Sequence, residues 1–547
     1  MIEGDEMKET NTISESSTGS KGAGLRRDLT WKHAFWFAAG TPALVLFSIG
    51  AVAATVGNIS PLVWILSITF GFIQCFTYAE IAGLFPHKSG GASVYGAIAW
   101  VRYGKLLGPI SVWSNWFSWS PVLAIGTGLS AGYILNMLFP AESLINTWEV
   151  TVADLGFIKD GLKLRINSTF VLAWFLVLAV FTIQHRGILK AAKMQMIIAI
   201  SALAPLLLIG ILPILSGDLP KENFTPFVPM IYDADGNTAN GFWNMAGWTI
   251  FAGGLFIAGW STYAFETAVC YTREFKDPAR DTVRAIVYAG ILCLFVFTLV
   301  PVAFQGYLGL DGMLAPGIYD GDGVGAVMAK MIGAGPILGN TIIVMLILAL
   351  LLVVMTAMAG SSRTLYQGSV DGWLPKYLSK VNSHGAPVAA MWTDLAFNML
   401  LLMMSDYVFL LAMSNVNYMI FIFLNLQSGW MHRLDSPNIK RPFRCPNWLL
   451  AAGAFLGFVN LGLMGMGANI WGSGTLMMGL IVAAAIIPVF AYRHWIVDKG
   501  QFPEAMYKDM MNDLGEEGIM KRCGLWPYAA LIAGVLVVVI TRMIAVY

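Results

Sequence analysis

Apolar runs of roughly twenty residues recur from residue 34 almost to the C-terminus of this 547-residue chain, and no other feature limits its fold as tightly. They cover 34–57, 61–85, 108–138, 169–184, 188–215, 244–271, 283–308, 338–366, 388–405, 407–429, 447–470, 474–496 and 524–546, numbered here segments 1 to 13. About 20 apolar residues in helical form cross the ~30 Å hydrocarbon layer of a bilayer, and the longer runs imply tilt. The runs are continuously apolar rather than alternating with period two, which predicts helices and not a β-barrel. Only 12% of the residues are charged, about half the ~25% of soluble domains. So few charges cannot cover a soluble surface. A soluble enzyme, a disordered chain and a nucleic-acid binder are excluded, leaving an all-α polytopic membrane protein.

Residues 1–30 are polar, carry no apolar core and do not form a secretory signal. They read as a disordered tail ahead of a membrane core at 31–496. Residues 497–547 follow as a polar segment plus one extra helix. With the N-terminus inside, the inner segments before segment 12 carry 22 Lys and Arg, and the outer loops carry 5. That bias places the N-terminus in the cytoplasm and the chain in the plasma membrane. The net charge of +1 implies no acidic or basic partner, and oligomeric state is left open. Cys75, Cys270, Cys293, Cys445 and Cys523 form no CxxC pair, so neither a disulfide framework nor a zinc site is expected.

Two helices interrupt themselves. Segment 1 holds Gly40, Thr41, Pro42 and Ala43 near its start; segment 6 holds Gly253, Gly254 and Gly259, followed by Trp260, Ser261, Thr262 and Tyr263. Proline lacks an amide proton and clashes with the preceding turn, and glycine costs about 1 kcal/mol in a helix interior. The breaks open two consecutive runs of five helices, and an odd number inverts the second run relative to the first. Paired breaks at corresponding positions point to a transporter's midplane site, where unwound backbone offers amides and carbonyls in place of water. Either break alone needs no more than kinking or close packing to explain it. The pairing, with Glu266 beside the second break, favours a binding site. An ionisable group inside an apolar helix is functional by default, because burying it is costly. Its other role would be to brace the unwound backbone.

Further polar groups keep two readings each. Trp113, Trp116 and Trp119 recur every three residues in segment 3 with Asn115 among them, as a cavity wall for an organic cation or as bundle packing. Ser414, Asn415, Asn417 and Tyr418 in segment 10 are cavity groups or interhelical hydrogen bonds. Glu80 ends segment 2 within reach of inner water. Asp406 falls at the outer surface, and Asp394 lies deeper in segment 9 without an assigned role.

Tyr78-Ala-Glu-Ile-Ala-Gly-Leu-Phe-Pro86 with Ser89-Gly-Gly-Ala-Ser-Val-Tyr95 resembles the helix 2–3 signature of the amino acid–polyamine–organocation (APC) superfamily. Glu266 followed by Glu274-Phe-Lys-Asp-Pro278 and Arg280 resembles its helix 6–7 signature. Ser361-Ser-Arg-Thr-Leu-Tyr366, Asp371-Gly-Trp-Leu-Pro375 and Pro387 resemble its helix 8–9 segment, and Arg441-Pro-Phe443 fits after helix 10. Order and spacing agree over about residues 34–495. The resemblance implies a LeuT-type fold of five-plus-five inverted repeats, about 34–215 and 244–429. About 12 core helices then carry segment 13 as an addition.

The resemblance also implies secondary transport of amino acids or related amines by alternating access, with the substrate held at the breaks of segments 1 and 6. Carried across, the candidate substrate residues are Gly40, Thr41, Pro42, Ala43, Gly259, Trp260, Ser261, Thr262, Tyr263 and Glu266, with Trp116 as a wall. Pro42 departs from the family's glycine-rich pattern and removes one amide donor. Ala264 stands where the family commonly has glycine. The lysine that some members carry in mid segment 5 is absent; Ser201 or Ala202 matches it, and Lys193 lies nearer the cytoplasm. Ser361 and Ser362 match the hydroxyl ligands of sodium-coupled members, and oxygen ligands suit a hard cation.

The reading is a secondary active transporter, by symport or exchange, of an amino acid or small organic amine. Na⁺ or H⁺ is its coupling ion, and no other cofactor is expected. A transporter-like solute sensor and a membrane-embedded enzyme are the alternatives. The 6 His are scattered, and neither an HExxH pattern nor a Walker-type Gly-Lys-Ser/Thr loop occurs, which argues against a metalloenzyme and an ATPase. The partners are a small-molecule substrate and the lipid bilayer, with no nucleic acid.

Overall fold

The computed structural model describes residues 25, 27–217, 219–232, 238–315, 317–319, 321, 323–333, 335–511 and 521–547. Most of the tail read as disordered, and residues 512–520 of the polar segment, lie outside the described residues. Each apolar segment has a helical counterpart, from Trp31–Ala38 and Val45–Val56 in segment 1 to Trp526–Ile544 in segment 13. Among the described residues, ten stretches are long and apolar enough to cross a membrane, with Trp31–Leu84 counted as one. The chain is an all-α polytopic membrane protein. Its described strands make only two antiparallel ribbons, Glu149–Asp154 with Lys163–Asn167 and Met230–Tyr232 with Thr238–Asn240.

Three described helices of eight residues or more have no counterpart among the apolar runs, one of them Val324–Met331 between segments 7 and 8. Ala92–Val101, between segments 2 and 3, is buried along its whole length and too short to cross a bilayer. Glu504–Met511 lies in the polar stretch after segment 12.

The interruptions differ from those expected. In segment 1 the α-helical ladder tightens into a 3₁₀ turn at Thr41–Leu44, and Ala39 and Gly40 stay right-handed. Pro42 falls in the first turn of that element, where a missing amide proton costs little. Segment 6 is one continuous α-helix over Met245–Thr262, straight through Gly253, Gly254 and Gly259, and becomes 3₁₀ only at Ala264–Glu274. A 3₁₀ run of 11 residues is long for that geometry and marks where the ladder is under strain.

The three glycines of segment 6 admit neighbours rather than break the helix. A Cβ on Gly254 would lie 2.7 Å from Val56 Cγ1, and one on Gly253 2.9 Å from Ile470 Cγ1. Across the interface, a Cβ on Gly467 would lie 2.5 Å from the backbone nitrogen of Gly253. In lipid no hydrophobic force drives helices together, so close approach through small residues supplies the packing energy.

The loops that carry the Lys and Arg excess gather on one face, called the basic face below. There Leu29 bridges Phe275, Arg433 Nη2 meets Glu80 Oε2 at 2.6 Å, and Asn382 Nδ2 donates to His185 O at 2.9 Å. The opposite face holds the Lys159–Asp406 ion pair and the bond from Arg165 N to Met403 O at 2.7 Å. Segment 13 runs between the faces: Tyr528 Oη donates to Tyr103 O near its start, and Tyr547 Oη to Met466 O at its far end.

Gly467→Val therefore tests the packing. Forcing two methyl groups against the Gly253 backbone is expected to cost about 1–3 kcal/mol or more, read as a lower melting temperature of detergent-purified protein. Gly500→Val, at a position with open space around it, sits at a positive φ and serves only as a strain control.

Candidate functional site

The interruptions of segments 1 and 6 meet in the middle of the bundle. Ser261, at the end of the segment 6 α-helix, donates to the carbonyl of Leu44 at 3.2 Å and shares a bond with the Ser48 hydroxyl at 3.0 Å. Beside this joint is a narrow void, closed down to interatomic gaps with no room for a water molecule, lined by Leu44, Ser118, Trp119, Trp260 and Tyr418. All five lining residues are buried. Trp260 Nε1 donates to Ser118 O at 3.2 Å, and its ring lies 5.8 Å from that of Phe47. Trp119 meets Tyr418 edge to face at 6.2 Å, which sets two aromatic walls at an angle.

Glu266 stands behind Trp119. One carboxylate oxygen accepts from Trp119 Nε1 at 3.0 Å, and the other has no hydrogen-bond partner among the described residues. The hydroxyls of Tyr78 and Tyr418 also lack one. Buried polar groups are normally satisfied, and these three are left without a partner among the described residues; of them Tyr418 lines the void.

The structure disperses several residues that the sequence grouped together. Thr41 turns its hydroxyl back to Ala38 O at 2.7 Å and touches Cys293 at 3.2 Å, away from the void. Pro42 and Ala43 are buried within the turn. Gly40 packs on segment 8, where a Cβ would lie 2.8 Å from Thr356 Oγ1; Gly259 packs against Tyr263 and Met419. Thr262 bonds Ser67 at 2.8 Å, and Tyr263 donates to Asn460 at 3.1 Å. Of the substrate candidates, Trp260 lines the void, while Ser261 and Glu266 adjoin it.

Trp116 points elsewhere, donating to Asp394 at 2.9 Å and stacking near Phe397. Trp113 bonds Val482 O at 2.7 Å. One residue of that stripe, Trp119, forms the wall. In segment 10, Asn415 donates to Phe256 O and Asn417 to Gly479 O, both interhelical braces, while Tyr418 lines the void. Leu44, Ser118, Trp119 and Tyr418 line the void from outside the substrate set carried across by resemblance. Only the aromatic stripe and the polar patch of segment 10 hinted at them.

Ser361 and Ser362 do not act as a pair. Ser362 donates to Met358 O in its own helix at 2.7 Å, whereas Ser361 donates to Asp394 at 2.5 Å. Asp394 also accepts from Ser120 at 2.5 Å, and Asn398 donates to Ser120 at 2.8 Å. Its carboxylate thus joins segments 3, 8 and 9, a role the sequence left blank. Glu80 does not face water: it is 1% exposed and bound by Arg433, Arg441 and the amide of Cys445. Asp406 caps segment 10 through Phe409 N. Among the described residues no group of three or more His, Cys, Asp or Glu converges as for a metal ion, and the five cysteines are free and buried.

On the basic-face side of Glu266 the loop 88–91 closes over the 3₁₀ stretch of segment 6 and the end of segment 8. Gly90 N donates to Cys270 O at 3.0 Å, Thr364 Oγ1 to Gly90 O at 2.8 Å, and Ser89 N to Gln367 at 3.3 Å. Gly90 and Gly91 have φ of +103° and +90°, and a Cβ on Gly91 would lie 2.9 Å from Cys270 Sγ, so this seal requires glycine. Beside it the Arg363 guanidinium holds Glu274 through two bonds, at 2.5 and 3.2 Å. Lys88, 2% exposed, pairs with Asp371 at 2.5 Å and with Asp509 at 2.8 Å. Burial disfavours the Lys88 cation, but the two carboxylates outweigh it and raise its pKa. Burial likewise disfavours the Asp509 anion, and bonds from His87 and Lys88 overcome it and lower its pKa.

A family model described as amino acid permease matches residues 29–487. The branched-chain amino acid permease BcaP of Bacillus subtilis is 26% identical over 417 residues, covering 74% of this chain and 80% of the relative. The polyamine transporter PUT1 of Oryza sativa is 23% identical over 463 residues, covering 83% and 76%. The arginine/ornithine antiporter ArcD2 of Lactococcus lactis is 23% identical over 337 residues, covering 59% and 61%. With a match across most of its length and an all-α membrane fold, the chain belongs to the amino acid permease family and is a transporter rather than an enzyme.

Proposed function

We propose that this chain is a secondary active transporter of an amino acid or small organic amine, working by alternating access across the plasma membrane with its basic face in the cytoplasm. The observation that carries the reading is the open carboxylate oxygen of Glu266 beside the aromatic void at the crossing of segments 1 and 6. A cationic amine there would meet the carboxylate on one side and the faces of Trp119, Trp260 and Tyr418 on the other. The gap between those rings is closed in this arrangement and would widen to admit the solute. Relatives named for branched-chain amino acids, polyamines and arginine or ornithine share an amine, the chemistry that Glu266 is suited to meet. The excess of Lys and Arg on the basic face supports the orientation.

For coupling, we favour the Ser361–Asp394 contact over the Ser361–Ser362 pair. A carboxylate with two hydroxyl neighbours offers charge and oxygen ligands to sodium, or a seat for a proton.

A thermal-shift screen of purified protein against amino acids and amines identifies the ligand; at 100 times its dissociation constant it should stabilise by about 2.7 kcal/mol. Glu266→Gln keeps shape and removes charge. It is expected to weaken binding of that ligand tenfold or more, about 1.4 kcal/mol, with membrane insertion intact. Unchanged affinity would leave Glu266 as a backbone brace.

The coupling assignment has its own test in proteoliposome uptake with sodium or choline outside and an imposed pH gradient. Asp394→Asn with Ser361→Ala should abolish ion dependence, and Ser362→Ala alone should retain it. Wild-type dependence surviving in the double variant removes coupling from Asp394.

A further inference from the structure

The family match ends at residue 487, yet the chain beyond it reaches back across the closed gate of the family core. One end of this arm is fixed beside the end of segment 8. Asp498 pairs with Lys376 at 2.8 Å and with Arg493 at 2.6 Å, and Arg493 also donates to Leu374 O. Pro503 lies against Gly372, where an added Cβ would stand 2.5 Å from its Cδ. The helix Glu504–Met511 then crosses the basic face with Met506 and Met510 buried, 0% and 3% exposed. Arg102 Nη2 donates to Met510 O at 3.0 Å.

At the far end of the arm Asp509 pairs with Lys88 at 2.8 Å and meets His87 Nε2 at 2.7 Å. These two residues begin the loop that closes over the 3₁₀ stretch of segment 6. The arm is thus tethered to the 371–376 turn on one side and to the sealing loop on the other. Any opening toward the basic face must draw the 88–91 loop and the 3₁₀ stretch of segment 6 off the end of segment 8, because their mutual bonds close it. That movement separates Lys88 from Asp371. While Asp509 holds Lys88 from the tethered arm, it cannot proceed.

We propose that the 498–511 arm is a latch that holds the basic-face gate shut through Asp509, so that undocking the arm sets how often the gate opens. Asp509 is suited to this because it is the arm's charge on a lysine that is otherwise fully enclosed. Removing one partner of a buried ion pair is costly to the closed state. Lys88 keeps Asp371, so loss of Asp509 loosens the gate without destroying it. The latch takes its meaning in transport from the alternating-access reading above.

The chain contains its own reporter. Cys270 is 1% exposed, directly behind Gly91, and becomes reachable from the basic face when the loop withdraws. The experiment follows maleimide labelling of full-length protein in nanodiscs without substrate, with each cysteine resolved by peptide mass spectrometry. For openings that reclose faster than they are labelled, the rate reports the open population. Asp509→Asn is expected to raise the Cys270 rate roughly fivefold or more, and Asp509→Glu to restore it close to wild type. His87→Gln, at a half-exposed position, should give a smaller rise in the same direction and guards against misfolding of the first variant. Cys293, buried against Thr41 in segment 7, should keep its wild-type rate throughout.

A Cys270 rate unchanged in both Asp509→Asn and His87→Gln overturns the latch, as does an equal rise at Cys293, which would report a loosened fold. Because the assay needs no substrate, an unchanged rate strikes the latch alone. A raised rate in a protein that transports nothing supports the latch and strikes the transport reading.

Discussion

A single hydroxyl bond, from Ser261 to the carbonyl of Leu44, holds the centre of this molecule together. Where an α-helical ladder changes pitch inside a membrane, backbone groups lose their partners, and no water replaces them. Neighbouring helices have to supply the donors. Ser261 serves the Leu44 carbonyl in the 3₁₀ turn of segment 1, and Tyr95 donates to Val269 O in the 3₁₀ stretch of segment 6 at 2.9 Å. The helices that carry these donors are therefore fixed around the interruptions.

The same absence of water governs the charges. Glu80 is held by two arginines and an amide, Glu274 by a bidentate Arg363, and Asp435 by the Tyr103 hydroxyl and the Cys523 amide. Asp394 has no cation and is instead given three donors, Trp116, Ser120 and Ser361. A charged group taken out of water is tolerated only when paired and hydrogen-bonded. Glu266 has no cation beside it among the described residues and leaves one oxygen without a hydrogen-bond partner, as does Asp371, which has Lys88 on its other oxygen. Most of the paired acids lie near the basic face. The arm that carries Asp509 adds one more such pair from outside the family core.

The sequence by itself determined the fold class. Apolar runs of bilayer length must become helices in lipid, because only a helix satisfies its own backbone there. All the runs did so, and the motifs around Glu80, Glu274, Ser361 and Arg441 identified the family correctly. Glu266 stood out in the sequence because an acid in an apolar helix has few explanations, and the structure buries it with a single bond, from Trp119. Contacts between segments distant in the chain were not legible. Glycines 253, 254 and 259 look the same in sequence whether they break a helix or admit a neighbour, and only the facing Val56, Ile470 and Gly467 decide for packing. Three tryptophans spaced every three residues differ in direction, so the choice of Trp119 over Trp116 as the wall belonged to the tertiary structure. So did the partnership of Ser361 with Asp394, 33 residues apart, and that of Lys88 with Asp509, 421 apart in number. Local pattern fixes which stretches must leave water; which side chains then meet depends on how those stretches pack, and that is a property of the whole chain.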